Sequence, residues 1–122
     1  MRATTWNDIP DELVRPGVRR RAFGTDACML VMNECTPGMH LSPHEHDFDQ
    51  LALIIEGHGL YHVADIAYEI GPGSVLLIPK HTAHYIEPID ETIQNLDVFA
   101  PAREDYLHLL TWMQDALPHF KA

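Results

Sequence analysis

Gly38-Met-His-Leu-Ser-Pro-His44-Glu-His46-Asp-Phe-Asp-Gln50-Leu-Ala-Leu-Ile-Ile-Glu-Gly57 holds His44, His46 and Gln50 between two glycines. Along an extended chain, side chains alternate between faces, so His44 and His46 project to the same side. Gln50 has the same parity and joins them if the backbone stays extended. Two imidazoles about 7 Å apart along a strand can close on one small cation, and a third imidazole from elsewhere would complete the site. A His-x-His pair alone is weak evidence in a chain with nine histidines.

The surrounding glycines and a second block sharpen the reading. Gly38, His44, His46, Gln50 and Gly57 resemble the first cupin motif, G-x5-H-x-H-x3-E-x6-G, with Gln50 in place of the usual Glu. Downstream, Gly73-Ser-Val-Leu-Leu-Ile-Pro79-Lys-His81-Thr-Ala-His84 resembles the second, G-x5-P-x-G-x2-H-x3-N. There Gly73, Pro79 and His84 match, His81 replaces Gly, and Pro88 replaces Asn. The resemblance runs from about Val18 to Tyr106 and implies an all-β jelly-roll barrel. It also implies that His44, His46, Gln50 and His84 are metal ligands. Cupins host many chemistries, so the resemblance specifies fold more than function.

The rest of the chain reads consistently with that fold. At 122 residues it suits one domain. Residues 1–17 lack periodicity and read as an N-terminal arm. Short strand patterns separated by turn signals fill residues 18–102: Val18–Phe23, Ala27–Thr36, Gln50–Glu56, Leu60–Ala64, Ala67–Ile70, Ser74–Ile78, His84–Glu87 and Glu91–Ala100. The nearly unbroken apolar run after Gln50 predicts a strand covered on both faces, and Gly57-His58-Gly59 predicts a hairpin turn. Tyr106, Leu109, Leu110, Met113 and Leu117 then recur at helical spacing. They predict a C-terminal α-helix over residues 103–117, ended by Pro118 and packed on the barrel's outside or on a partner subunit.

Composition excludes several classes. The net charge of −10 argues against nucleic-acid and anionic-membrane partners. Arg19-Arg20-Arg21 is the one basic run and reads as a solvated strand edge. No apolar signal core or membrane-length segment is evident, which predicts a cytoplasmic protein. Cys28 and Cys35 fit that setting as unbridged core residues. No DNA-binding motif accompanies the barrel, which counts against a regulator.

The chemistry follows from the donor set. Neutral imidazoles with an amide oxygen suit one divalent transition metal: Zn, Ni, Fe, Mn or Co. A carboxylate at position 50 would cancel one of the metal's charges, whereas the Gln50 amide cancels none. The ion keeps its Lewis acidity, and higher oxidation states become harder to reach. His81 reads as a turn residue near the rim, His58 as exposed, and His62 as able to face either way.

The exit of the last strand adds Asn95-Leu-Asp97-Val-Phe99-Ala-Pro-Ala-Arg103-Glu-Asp-Tyr106. Asp97 and Phe99 share a face, and a carboxylate among Leu, Val and Phe has to be paired or functional. The segment resembles the Asp-x-Phe-x-Pro-x-Arg-Glu-Asp run of small cupins that linearise unsaturated monouronates in pectin and alginate breakdown. That resemblance implies Asp97 as acid/base and Phe99 and Arg103 as substrate-binding residues; the bland reading has Asp97 bonded to backbone and Arg103 paired with Asp105. Metal and Arg103 are expected to hold Asp97 ionised at neutral pH. Polyketide-cyclase cupins, with three His and one Gln around a metal, offer a second resemblance.

Together these readings point to non-redox Lewis-acid and proton-transfer chemistry on a small carbonyl or sugar-derived substrate: ring opening, isomerisation or cyclisation. The alternatives are a metal-dependent dioxygenase and a non-catalytic small-ligand-binding module. The apolar stripe and the Leu51–Ile55 run together predict a homodimer.

Overall fold

The computed structural model describes residues 3–113. After a 3-10 turn at Trp6–Asp8, nine strands follow. They are β1 (Glu12–Arg15), β2 (Val18–Gly24), β3 (Met29–Cys35), β4 (Gln50–Glu56), β5 (Gly59–Val63), β6 (Ile66–Ile70), β7 (Val75–Ile78), β8 (His84–Pro88) and β9 (Ile93–Phe99). They form two antiparallel sheets, one of six strands in the order β1-β2-β3-β9-β4-β7 and one of three in the order β6-β5-β8. This is the cupin jelly roll that the two motifs implied.

The burial pattern of β9 alternates strictly, with Ile93, Asn95, Asp97 and Phe99 buried. Its register sets Asp97 beside Val31 of β3 and Ala52 of β4, which are fully buried. The inner face is apolar at both ends. One cluster gathers Ala22, Met29, Val31 and Phe99; the other gathers Ala52, Ile54, Tyr61, Ile70, Ile78 and Ile93. Polar residues sit on the same inner face between them.

Several expectations are corrected. First, β4 is covered on one face: Gln50, Ala52 and Ile54 are buried, while Leu51 and Ile55 are 48% and 44% exposed. Second, Gly57-His58 is no hairpin, because β4 pairs with β7 and β9 whereas β5 pairs with β6 and β8. The chain crosses between sheets there. Gly57 takes φ +87°, and a Cβ on it would collide with the Thr92 carbonyl oxygen.

Third, residues 12–15 of the expected arm form β1, the edge strand on β2. Four residues are too few to declare a period. Fourth, the C-terminal helix is a 3-10 helix over Glu104–Met113, and Leu117 and the end at Pro118 lie outside the described residues. Its apolar face packs inward rather than on the barrel's outside. Leu109, Leu110 and Met113 are buried against Ala22, Met29, Val31 and Phe99. The six-stranded sheet is wider than its three-stranded partner, and the helix covers the inner face left over. Trp112 Nε1 donates to the Ala22 carbonyl at 3.2 Å, fixing the helix to β2. Cys35 is buried and Cys28 is exposed, so only Cys35 is a core residue; both thiols are free. No helix among the described residues is long and apolar enough to cross a membrane.

Candidate metal centre

His44 and His46 do not lie on a regular strand, since β4 begins only at Gln50. Backbone pairing across the loops positions them instead. His44 N–H donates to the His84 carbonyl at 3.2 Å and His84 N–H returns a bond at 3.0 Å. His81 N–H donates to the His46 carbonyl at 2.6 Å, and Asp49 Oδ1 accepts from Lys80 N–H at 3.0 Å. The two motif loops are thereby held together. His81 serves as a turn residue at φ +60°. The ring centroids of His84 lie 4.3 Å from His44 and 4.8 Å from His46, and those of His44 and His46 are 6.3 Å apart.

Each imidazole has its Nδ1 on a backbone carbonyl: His44 on Ser42 at 3.3 Å, His46 on Phe48 at 2.9 Å and His84 on Thr82 at 2.8 Å. A carbonyl can only accept, so this network assigns the proton to Nδ1 and leaves the Nε2 lone pair as donor. Metal-binding histidines are oriented in this way. His84 Nε2 is buried without a hydrogen-bond partner. Burial pushes the His84 imidazole down to about 4 and lowers His44 as well, so both are neutral at pH 7.

Gln50 completes the set. Its amide N–H groups donate to the Asp97 carboxylate and the Tyr61 oxygen. Its Oε1 faces His46 Nε2 at 2.8 Å. Two lone pairs facing one another at that distance call for a positive charge between or beside them, a proton or a metal ion. Among the described residues, no three His, Cys, Asp or Glu are drawn into ligating geometry. The fourth donor is an amide, and it pairs with His46 directly. The orphaned His84 nitrogen and the His46–Gln50 conflict nevertheless fit a divalent cation.

Asp97 sits beside this cluster. Asn33 Nδ2 donates to its Oδ2 at 2.9 Å and Asn95 Nδ2 to its Oδ1 at 2.8 Å. Burial outweighs these bonds and Arg103, and pushes its pKa up to about 6. Desolvation is the strongest influence on it and Arg103 a weak one, so Arg103 alone does not hold this carboxyl below its ordinary value. At pH 7 the carboxylate is still the major form.

Arg103 and Phe99 are placed differently from one another. Arg103 lies over the Tyr106 ring at 3.8 Å, and Asp105 accepts from its Nη2 at 2.7 Å and Nε at 3.0 Å. It lines a cavity of about 460 Å³ together with His44, Gln50, Tyr61 and Asp97. Phe99 is 1% exposed and does not line that cavity; it packs in the core beneath Arg103, 5.2 Å from the guanidinium. The structure brings together His44, His46, Gln50, His84 and Asp97, adds Arg103 at the wall, and leaves Phe99 behind it.

Sequence reading missed Asn33, Asn95, Tyr61, Arg15 and Arg20. The parity of Asn95 with Asp97, and of Arg20 with Val18 and Ala22, was a usable signal. Arg15 and Tyr61 carried none. His58 and His62 are outside the site, bonded to Glu91 at 2.6 Å and Glu87 at 2.7 Å.

Comparison with known proteins agrees with this architecture. A family model described as the AraC-like ligand binding domain matches residues 30–116. The chain is 30% identical over 99 residues to the HTH-type transcriptional activator RhaR of Shigella dysenteriae, covering 80% of this chain and 34% of that protein. It is 32% identical over 69 residues to RhaR of Pectobacterium atrosepticum, covering 57% and 24%. It thus spans a quarter to a third of these relatives.

Among solved structures, KdgF from Halomonas superposes with a TM-score of 0.76 at 23% identity, covering 83% of this chain and 95% of that one. The polyketide cyclase RemF from Streptomyces resistomycificus superposes with a TM-score of 0.72 at 25% identity, covering 85% and 82%. An RmlC-like cupin from Shewanella frigidimarina gives 0.75 at 24%, covering 84% and 93%. With the family model matched over most of its length, the chain belongs to the AraC-like ligand-binding domain family and carries the cupin fold.

Proposed function

We propose that this chain is a metal-dependent cupin enzyme performing non-redox proton-transfer chemistry on a small carbonyl-bearing or sugar-derived substrate. The observation that carries this reading is the convergence of three Nδ1-anchored imidazoles and the Gln50 amide beside a buried carboxylate, at a cavity lined by His44, Gln50 and Asp97. His44, His46, Gln50 and His84 would hold one divalent ion: Zn, Ni, Fe, Mn or Co. When bound, the ion supplies Lewis acidity toward a substrate oxygen.

The chain's own groups do the rest. Asp97, held by Asn33 and Asn95, accepts or returns a proton at its carboxylate oxygens. Its pKa of about 6 suits an acid/base operating near neutral pH. Arg103 lines the substrate's side of the cavity from its seat on Tyr106. Phe99 supports that seat from the core, so its part in substrate binding is indirect. The cytoplasm is the compartment this reading assumes, with small molecules as partners and no direct contact with nucleic acid at a net charge of −10.

A second reading rests on a different observation. The family match and the RhaR likeness support a ligand-binding module that holds a small molecule in the same cavity without turning it over. Metal analysis of protein purified without added metal, paired with an oxygen-uptake trace, separates the options. The enzyme reading expects near-stoichiometric metal, its loss in His46→Ala and His84→Ala, and no oxygen consumption with any converted substrate. Undiminished metal in both variants would reject the site. Oxygen uptake would point to a dioxygenase, and metal without product from any candidate would favour the module.

A further inference from the structure

The chain carries a net charge of −10 and has six arginines, yet three of them, Arg15, Arg20 and Arg103, line the one cavity that also holds His44 and Gln50. Asp97 is the single carboxylate in that lining. Two of the arginines are already matched. Arg103 is paired with Asp105, and Arg20 Nη2 donates to Glu12 Oε1 at 2.8 Å while its guanidinium lies over Tyr106 at 4.3 Å. Arg15, at the end of β1, has no carboxylate partner among the described residues.

The unpaired donors are specific. Arg15 Nε and Arg20 Nε are both buried without a hydrogen-bond partner. A guanidinium N–H taken out of water and left unmatched is costly, and a charged one more so. Arg20 is directed inward by strand parity with Val18 and Ala22, and β1 pairs with β2 to set Arg15 against Val18. The two orphaned N–H groups therefore belong to adjacent strands at one wall. The candidate metal ligand His44 and the acid/base Asp97 also line the cavity.

We propose that Arg15 and Arg20 form an anion subsite that holds a carboxylate of the ligand. This deepens the reading of the cavity as the ligand site and assigns its substrate class: a small molecule bearing a carboxylate as well as the carbonyl or hydroxyl oxygen at the His cluster. A planar carboxylate matches the guanidinium fork and supplies the missing acceptors. A neutral sugar would leave the Arg15 charge unmatched.

The test reads the arginine Nε–H resonances of 15N-labelled protein during titration with D-glucuronate, D-galacturonate, pyruvate and malonate. D-glucose and D-galactose serve as neutral counterparts of the two uronates. The Arg15 and Arg20 signals should move with at least one carboxylate and stay put with the sugars. Affinity for that carboxylate should fall about tenfold or more in Arg15→Gln, and be unchanged in Arg19→Gln, whose side chain pairs with Asp11 on the outside. If no carboxylate moves the two signals, or the neutral sugars move them equally, the subsite is wrong, whether or not Arg15→Gln folds. Metal content of the same sample is scored separately. Carboxylate preference in metal-free protein upholds the subsite even if the metal reading fails. Normal metal binding without that preference overturns the subsite alone.

Discussion

Asp97 is surrounded by three amide donors, those of Asn33, Asn95 and Gln50. This neighbourhood gives a reason for the amide at position 50. A glutamate there would set a second carboxylate against Asp97, whereas the Gln50 N–H groups bind it and turn Oε1 toward the imidazoles. Asp97 thus has two consequences, one for chemistry and one for stability. For chemistry, Asp97→Asn keeps size and removes the proton acceptor, so it should retain metal and lose about a hundredfold or more in turnover of whichever substrate a screen identifies. Wild-type turnover would make Asp97 purely structural.

For stability, its folded pKa of about 6 lies above the ordinary value of 3.8. The folded state then holds the proton more tightly, so stability present below about pH 3.8 is lost as pH rises through 6. The displacement is roughly two pH units at about 1.4 kcal/mol each, so about 3 kcal/mol is at stake. His84, lowered from 6.5 to about 4, works in the opposite direction over nearly the same window. Wild-type stability should therefore change little between pH 4 and 6.5. In metal-free Asp97→Asn the His84 contribution is unmasked, and urea midpoints should climb with pH relative to wild type. Parallel curves for the two proteins would show that Asp97 is not held in its protonated form by the fold.

At the scale of elements, most of the fold was legible because short strands end at Pro, Gly and Asp. Gln50–Glu56, which stops at Gly57, was readable in this way. The sheet assignment was not. Nothing in Gly57-His58-Gly59 distinguishes a hairpin from a crossing between sheets; only the partners of β4 and β5 do. The Leu51–Ile55 run misled for a related reason, since apolar residues on an outer sheet face carry the same letters as those in a core. The two motifs made the four ligand candidates legible, but Arg15 and Arg20 needed strand pairing to reveal them. The C-terminal stripe was right in its apolar face and wrong in its location. Leu110 is fully buried in the cluster with Ala22, Met29, Val31 and Phe99. Leu110→Ala should cost about 2–5 kcal/mol in urea unfolding, as cavity-forming core truncations do. A cost below about 1 kcal/mol would mean that the 3-10 helix does not seal this core.

At the scale of the whole molecule, the helix that was to supply a subunit interface is used internally, and the outer face of the six-stranded sheet remains. Val75 and Leu77 on β7 are 74% and 62% exposed, and Leu51 and Ile55 on β4 are 48% and 44% exposed. Leu51 pairs with Leu77 and Leu53 with Val75, so these side chains form one patch rather than scattered residues. The patch adjoins an open edge, because β7 has a neighbour on one side only. Contiguous exposed apolar surface beside an unpaired strand edge is what monomeric proteins avoid. A two-fold contact of β7 and β4 with the same strands of a second copy would cover both the patch and the edge, and a closed dimer is the commonest such solution. Light scattering at micromolar concentration should give twice the chain mass for wild type. Leu51→Lys with Leu77→Lys should give the single-chain mass while metal content is kept, since both side chains point away from the cavity. A monomeric wild-type mass, or a double variant that stays dimeric, would remove this face as the interface.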